Sequence, residues 1–369
     1  MNKNNQSLTG LALQKFRKNF WGVLSLSFIV ILMFIALFAY ALAPDKTKNA
    51  NWGDLSIHSK PPGFTVQMLT LPVSGKTEET HLSDYFTGKD FVQPKVTILD
   101  YEIKGDSLTY TEYATDADLA VTKTVPLTIF GTKDAEKIKA DFIKEQKFIL
   151  GTDSQGRDLL SRLLVGSRVS ISIGFVAVLI SLIVGIFFGA IAGYFGGKVD
   201  AFVMWLVNII WSIPTLLLVI AITLALGKGF WQVFVAVGLT MWVEVARVVR
   251  GQVMSIKQMQ FVTAARALGY NNGRIIFNHI LPNSMAPVIV ISAANFASAI
   301  LVESGLSFLG LGAQPPIPSW GGMIKDHYNY IILGKPYLAL VPGIAMLLLV
   351  LAFMMVGNAL RDALDVKAE

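Results

Sequence analysis

Six long apolar segments dominate this chain and restrict the folds that it can adopt. Each is close to or longer than the ~20 residues that a helix needs to cross ~30 Å of hydrocarbon. Only 15% of the 369 residues are charged, against about 25% in soluble domains. The sequence therefore predicts an all-α polytopic membrane protein with six transmembrane helices. The segments are Phe20–Ala43, Val169–Gly193, Ala201–Leu226, Phe230–Val249, Met285–Leu309 and Tyr337–Leu360.

The first apolar segment has a second interpretation, a cleaved signal peptide, because Ala41-Leu42-Ala43 resembles a cleavage site. An uncharged run that begins at Phe20 and ends at Ala43 is longer than the 7–15 residues of a signal-peptide core. Pro44 directly after the site is also unfavourable for cleavage. We therefore predict that residues 1–43 form a cytoplasmic N-terminus and an uncleaved first transmembrane helix.

Residues 44–150 differ in composition from everything around them. They contain 13 lysines, 16 acidic residues and no arginine. The stretches Lys95–Ile103, Leu108–Tyr113 and Val125–Phe130 are rich in Val, Ile, Thr and Tyr, which favour strands. Ala135–Gln146 has the Lys/Glu spacing of a helix. We predict a small β-rich insert domain, followed by a core of residues 151–369 with five helices.

Six helices place both termini on the same side of the membrane. With the N-terminus inside, twelve basic residues lie on cytoplasmic segments and six lie on the short outer ones. Positive residues are enriched on cytoplasmic loops, so this orientation is favoured. It predicts a cytoplasmic loop at 251–284 and an extracytoplasmic insert.

The segment FVTAARALGYNNGRIIFNHILP (Phe261–Pro282) is polar and lies between two spans. Apolar residues at i, i+3, i+4 and i+7 predict an amphipathic helix. Gly269 follows, where a helix end favours a left-handed residue. A second helix, Arg274–Ile280, is expected to stop before Pro282, which has no N–H to donate. The stripe is Phe261, Ala264, Ala265 and Leu268.

This segment resembles the EAA loop of ABC-importer permeases, in its Ala-Ala pair, the Gly four residues on, and Ile-Leu-Pro. The resemblance implies a coupling helix that docks on a separate ATPase subunit. Thr263 stands where the family has Glu. A basic amphipathic helix on anionic lipid is the alternative. The docking residues implied are Phe261, Thr263, Ala264, Ala265, Arg266, Leu268, Gly269, Ile280, Leu281 and Pro282.

Three further stretches extend the resemblance. GTDSQGRDLLSR (151–162) approximates a phosphate-binding loop, but Arg157 replaces its Lys and Asp158 its hydroxyl, so nucleotide binding is rejected. The same residues resemble the opening signature of dipeptide, oligopeptide and nickel permeases. LSFLGLGAQPPIPSWGG (306–322) and the C-terminal LRDALD resemble stretches of that family. The likeness is nearest to its C-type subunit.

Polar and helix-breaking residues inside the spans are candidates for a translocation path. Glu303 could line such a path or make a structural hydrogen bond, and Pro214 is expected to kink its helix. Glu244 is expected to form an ion pair with Arg247 or Arg250 and nothing more. The candidates are Glu303, Asn208, Asn295, Trp211 and Pro214.

No residue pattern predicts catalysis. The chain has no cysteine, and its four histidines are not spaced as zinc ligands. We predict no metal, no bound cofactor and no nucleic-acid partner. The resemblance implies a B-type permease, two ATPases that carry ATP and Mg²⁺, and an extracytoplasmic binding protein as partners in an inner membrane.

The substrate stays open at this point. Peptides are implied by the resemblance, with nickel chelates or other small solutes as alternatives. Two other classes remain: a secondary transporter with Glu303 as its ion site, and a membrane anchor or sensor whose working part is the 44–150 domain.

Overall fold

The computed structural model describes residues 8–73, 80–115, 120–227 and 229–364. The chain divides into two compact units. The first, here called the helical unit, comprises Met1–Met33, Val169–Gln314 and Gly343–Glu369. The second, the sheet unit, comprises Phe34–Arg168 and Pro315–Pro342.

The helices within the described residues are α1 (Leu8–Lys18), α2 (Phe20–Leu37), α3 (Ala39–Leu42), α4 (Asp84–Thr87), α5 (Ala135–Phe142), α6 (Leu159–Phe195), α7 (Gly197–Ser212), α8 (Thr215–Leu226), α9 (Phe230–Ile256), α10 (Gln260–Ala267), α11 (Asn272–Ile275), α12 (Leu281–Phe308), α13 (Trp320–His327) and α14 (Tyr337–Leu364). The strands are β1 (Phe64–Thr70), β2 (Lys95–Lys104), β3 (Ser107–Glu112), β4 (Thr122–Pro126) and β5 (Ile143–Phe148).

Within the described residues, five helical stretches are long and apolar enough to cross a membrane. A sixth span exists if α7 and α8, which meet at an angle of 95°, count as one. The prediction of a helical polytopic membrane protein is confirmed, and the number of spans is five or six. The five are α2, α6, Trp231–Ile256, Asn272–Phe308 and α14.

The break between α7 and α8 lies at Ile213-Pro214. The residue before a proline is pushed towards extended backbone, and Ile213 has φ −91° and ψ 128°. The predicted kink at Pro214 is thus confirmed, but it is sharper than a bend. The segment Ala201–Leu226 is two helices and not one.

Three glycines on α6 let it pack directly against α9. A Cβ at Gly185 would lie 2.5 Å from Cβ of Val245, and one at Gly189 would lie 2.6 Å from the carbonyl oxygen of Ala246. At Gly193 it would lie 2.7 Å from the carbonyl oxygen of Arg250. This close-approach face is therefore used for packing inside the chain.

The sheet unit contains a five-stranded antiparallel sheet of order β4-β3-β2-β1-β5. Two predicted elements were wrong in extent. Val125–Phe130 is a strand only to Pro126, because Leu127 and Phe130 turn into the core as a 3₁₀ turn. The helix predicted for Ala135–Gln146 ends at Phe142, and Ile143 then pairs with Leu69 of β1.

Residues 151–158, here called the GTD loop, are held inside the sheet unit by their own polar groups. Asp153 is fully buried and accepts from Nε of Arg157 at 2.7 Å. Nε of Arg162 lies 3.5 Å from the same carboxylate, and both arginine side chains are less than 8% exposed. Buried charges are stable only when they are paired. The loop is therefore a buried charge cluster.

Gly156 allows the GTD loop to lie against a neighbouring segment. It has φ +72°, and a Cβ there would lie 1.8 Å from the carbonyl oxygen of Asp54. The hydroxyl of Thr152 donates to the carbonyl of Ile57 at 2.5 Å and accepts from the N–H of Lys60 at 2.9 Å. The glycine and the hydroxyl thus serve packing in a loop whose sequence approximates a phosphate-binding motif.

Candidate functional site

The segment from α10 to the start of α12, residues 260–280, is here called the hook. Gly269 has φ +78° and ends α10 as predicted. The side chain of Asn271 then accepts from the N–H of Arg274 at 2.8 Å and caps α11. The structure therefore confirms the predicted helix, left-handed glycine and second helix.

The predicted stop at Pro282 is wrong. A π-helical turn, Ile276–Ile280, joins α11 to α12, and the N–H of Leu281 donates to the carbonyl of Ile276. Pro282 then falls in the first turn of α12, where a missing N–H is tolerated. The hook is thus continuous with the span Asn272–Phe308.

One side of the hook is buried in the helical unit. Val262 and Ala265 are 0% and 4% exposed, and Ile280 is 0% exposed. They belong to one core cluster with Val249 and Val253 of α9. Ala265 and Ile280, both predicted as docking residues, therefore fix the hook in place and do not lie on its surface.

The other side presents apolar side chains to the outside of the chain. Leu268 is 72% exposed and Phe261 40%. Sequence reasoning missed Phe277 and Met259, which are 68% and 48% exposed. Of the remaining predicted docking residues, Leu281 is half-buried and the others are exposed: Thr263, Ala264, Arg266, Gly269 and Pro282. Exposed apolar side chains outside a membrane are typical of interaction surfaces.

Polar and ring contacts stiffen the hook. The hydroxyl of Tyr194 on α6 donates to Oδ1 of Asn272 at 2.7 Å. The guanidinium of Arg274 lies 4.1 Å from the ring centroid of Tyr270, and that ring stacks on His279 at 5.8 Å. These cation–π and stacking contacts fix positive groups at the exposed side.

A cavity of about 200 Å³ lies in the helical unit beside the break between α7 and α8. It brings together two of the predicted path residues, Trp211 and Asn295, and the residues on both sides of Pro214, Ile213 and Thr215. Its remaining lining is Ile210, Leu218, Thr240, Met241, Val243, Glu244, Ser298 and Val302.

The other three predicted path residues, Pro214, Asn208 and Glu303, do not themselves line this cavity. Asn208 accepts from a terminal nitrogen of Arg247 at 2.7 Å. Glu303 is 1% exposed and accepts from the hydroxyl of Ser307, one turn along α12, at 2.6 Å. The structural hydrogen bond considered for Glu303 from the sequence is thus present.

The ion pair expected for Glu244 is wrong. Arg250 pairs with Asp200 at 2.5 Å, and Arg247 lies 3.5 Å from the ring centroid of Trp211. Within the described part of the chain, no basic side chain lies within 4 Å of the Glu244 carboxylate. Arg250 and Arg247 are instead drawn to partners on α7, which the sequence spacing along α9 did not reveal.

The sheet unit has a cavity of its own, about 250 Å³ in volume, that Asp45 and Asp158 line. Burial is the main cause that raises the pKa of both carboxyls. Hydrogen bonds from Thr47 lower the pKa of Asp45, and those from Ser161 lower the pKa of Asp158, but burial outweighs both. The charge of Asp45 raises the pKa of Asp158 further. No set of three or more possible metal ligands occurs in the ranges that the structure describes.

Residues 185–368 match the protein family described as "binding-protein-dependent transport system inner membrane component". Residues 7–62 match the "N-terminal TM domain of oligopeptide transport permease C". Residues 63–184 lie outside both matches.

Several curated proteins are similar to this chain. It is 44% identical over 217 residues to the dipeptide transport system permease protein DppC of Alkalihalophilus pseudofirmus, covering 59% of this chain and 71% of that protein. It is 37% identical over 230 residues to the oligopeptide transport system permease protein OppC of Bacillus subtilis, covering 62% and 75%. Among solved structures, a chain of the inward-facing MetNI methionine ABC transporter is 18% identical with a TM-score of 0.46, covering 55% of this chain and 96% of that one.

Proposed function

Because the chain belongs to the family of binding-protein-dependent inner-membrane permeases, among the C-type subunits of dipeptide and oligopeptide importers, we propose that it is one half of the membrane channel of an ATP-driven peptide importer. A permease of this family is a transport subunit and not itself an enzyme, and it works with ATPase and binding-protein components. The other half would be a B-type permease.

The observation that carries this proposal is the hook. Its exposed side offers Leu268, Phe261 and Phe277, and its buried side is fixed to α9. The hook contains arginines and a histidine but no Asp or Glu. An acidic, apolar groove on an ATPase subunit is the complementary surface. Closure of two ATPases would pull on this hook and on the corresponding loop of the second permease. This movement would switch the channel between outward-facing and inward-facing states.

The proposed orientation follows from the same assignment. A hook that meets ATPases lies in the cytoplasm, together with both termini. When α7 and α8 count as one span, three spans separate the sheet of residues 64–148 from the hook. An odd number of spans places the sheet on the opposite side of the membrane, outside and near the binding protein.

The proposed path for substrate is the 200 Å³ cavity beside the α7–α8 break. Discontinuous helices near the middle of the membrane commonly form the substrate sites of transporters. The path residues predicted from the sequence that lie at this cavity are Trp211 and Asn295, together with the backbone on both sides of Pro214. Glu303 and Asn208 support the walls through their hydrogen bonds.

The first test is to tag the chain, solubilise its native membrane gently and identify the proteins that co-purify. We expect a second permease and an ATPase with a G-x-x-x-x-G-K-[ST] loop in stoichiometric amounts. A chain that purifies alone and still takes up solute with an ion gradient would contradict the proposal and favour a secondary transporter.

The second test replaces an exposed leucine of the hook. Leu268→Asp should lower peptide uptake at least about tenfold, because apolar anchors at interfaces contribute ~2 kcal/mol or more. The matched control is Leu55→Asp, since Leu55 is equally exposed (71%) but lies in the sheet unit. Equal uptake by both variants, with equal amounts of chain in the membrane, would disprove the docking role of Leu268.

A further inference from the structure

Glu244 lies at the middle of α9 (Phe230–Ile256) and is exposed in the chain. It lines the 200 Å³ cavity, and among the described residues no basic side chain forms an ion pair with it within 4 Å. A carboxylate at the centre of a membrane-crossing helix is costly unless it meets water or a partner charge. The position therefore favours a bound cation.

The same cavity also offers a hydrogen-bond donor. Asn295 is 2% exposed, and its Nδ2 group has no acceptor among the described residues. A buried amide N–H that makes no hydrogen bond is destabilising. A ligand that brings a carbonyl oxygen into the cavity would satisfy this group.

The nearest basic side chain along α9, that of Arg247, forms no ion pair with Glu244. Arg247 is held by the ring of Trp211 at 3.5 Å and by Oδ1 of Asn208 at 2.7 Å. Apolar residues such as Met241 and Val302 form much of the remaining wall. The cavity thus combines one carboxylate, one amide donor, a few hydroxyl groups and apolar surface.

We propose that Glu244 binds the positively charged amino terminus of a peptide in this cavity, with Asn295 donating to the first peptide carbonyl. The inference rests on the proposed function for its substrate class. Every unmodified peptide has an α-ammonium group and a carbonyl on its first residue, so Glu244 and Asn295 would recognise a peptide end without selecting its sequence.

The chain itself provides a direct probe, because it contains no cysteine. Ser298 is exposed and lines the cavity, so Ser298→Cys introduces a single thiol of similar size. The complex in membrane vesicles is treated with a cationic (trimethylammonioethyl) or an anionic (sulfonatoethyl) methanethiosulfonate. Mass spectrometry of this chain then follows the labelling rate.

We expect the cationic reagent to react faster, relative to a small thiol in solution, by about tenfold, because a negatively charged cleft raises the local concentration of cations. Adding Glu244→Gln should abolish this preference, and adding Glu244→Asp should keep most of it. Arg247 is present in all these chains, so the change isolates Glu244. An unchanged preference with Glu244→Gln would overturn the proposal.

The second measurement is protection by peptide. Dialanine at millimolar concentration should slow labelling several-fold, whereas N-acetyl-dialanine should not, and Glu244→Gln should remove the protection. Equal protection by both peptides, or by neither, would overturn the assignment of the amino terminus. An interface role for Glu244 would appear instead as loss of the second permease from the purified Glu244→Gln complex.

These outcomes are separable from those that test the proposed function. Co-purifying ATPases with no charge preference at Ser298→Cys would reject only the role of Glu244. A charge preference in a chain that has no ATPase partner would reject the importer and leave a cation site in the cavity.

Discussion

The hook and the GTD loop are both short segments that contain glycine and arginine. They differ in which side chains they bury and which they expose. The GTD loop buries Asp153 with Arg157 and Arg162. The hook buries aliphatic side chains and exposes Leu268 together with its arginines.

The difference is the one expected between a structural loop and the recognition surface that we propose for the hook. A segment whose charged groups are paired inside its own unit has little left to offer a partner. A segment that leaves large apolar groups exposed, on a stiff support, gains from being covered. Both segments resemble family signatures, so a signature alone does not distinguish the two roles.

The largest expected effect comes from breaking the charge cluster of the GTD loop. Asp153→Ala leaves two buried guanidinium groups without their carboxylate, which should destabilise the sheet unit by about 3–5 kcal/mol. Amide hydrogen exchange of β1 and β2 in the full chain would measure the loss.

Asp106→Ala is the control, because Asp106 pairs with Lys133 on the surface (2.8 Å, both more than 60% exposed). Loss of this exposed ion pair should cost about 0–1 kcal/mol. Equal effects would contradict the comparison.

Gly269 and Gly156 both have a positive φ, but replacing them with alanine should destabilise the protein by different amounts. Gly269→Ala faces open space and should cost only the roughly 1–2 kcal/mol of a left-handed alanine. Gly156→Ala adds to this a collision with the carbonyl of Asp54, so its cost should be clearly larger. Local hydrogen exchange in each segment measures both, and a larger cost at Gly269 would show that the hook is the more tightly packed of the two.

The smallest effect concerns pH. Burial raises the pKa of Asp158, so its contribution to stability is fully present below its unfolded pKa and is lost as pH rises through the folded pKa. Asp158→Asn should therefore stabilise the sheet unit at neutral pH, since the amide oxygen can still accept from Ser161. The advantage over the parent chain should disappear below about pH 4. Denaturant titrations at several pH values check this, and a pH-independent difference would contradict it.

Much of the fold could be predicted from the sequence because the membrane imposes strong periodic and length constraints. The spans, the left-handed Gly269 and the break at Pro214 follow from local chemistry. The end of β4 and the start of β5 did not, because there the burial of Leu127 and the pairing of Ile143 with Leu69 override local preference.

The candidate site was predicted less completely. The segment that forms the hook was identified, yet Ala265 and Ile280 proved to be buried and Phe277 was missed. An apolar stripe shows that a helix has two faces, but which face packs on the same chain depends on α9. Likewise, the sequence spacing predicts an ion pair between Glu244 and an arginine of its own helix. In the structure those arginines contact residues of α7 instead, namely Asp200, Asn208 and Trp211.

The uninterrupted helical stretch from Asn272 to Phe308 has a mechanical consequence. Asn272 belongs to the hook and Asn295 to the cavity wall, and 23 residues of helix separate them by about 35 Å. A tilt of about 5° around the hook end of such a rod displaces Asn295 by roughly 3 Å. That distance is the width of a water molecule, so under the proposed function a small rotation of the hook would be enough to open or close the proposed path at the cavity wall.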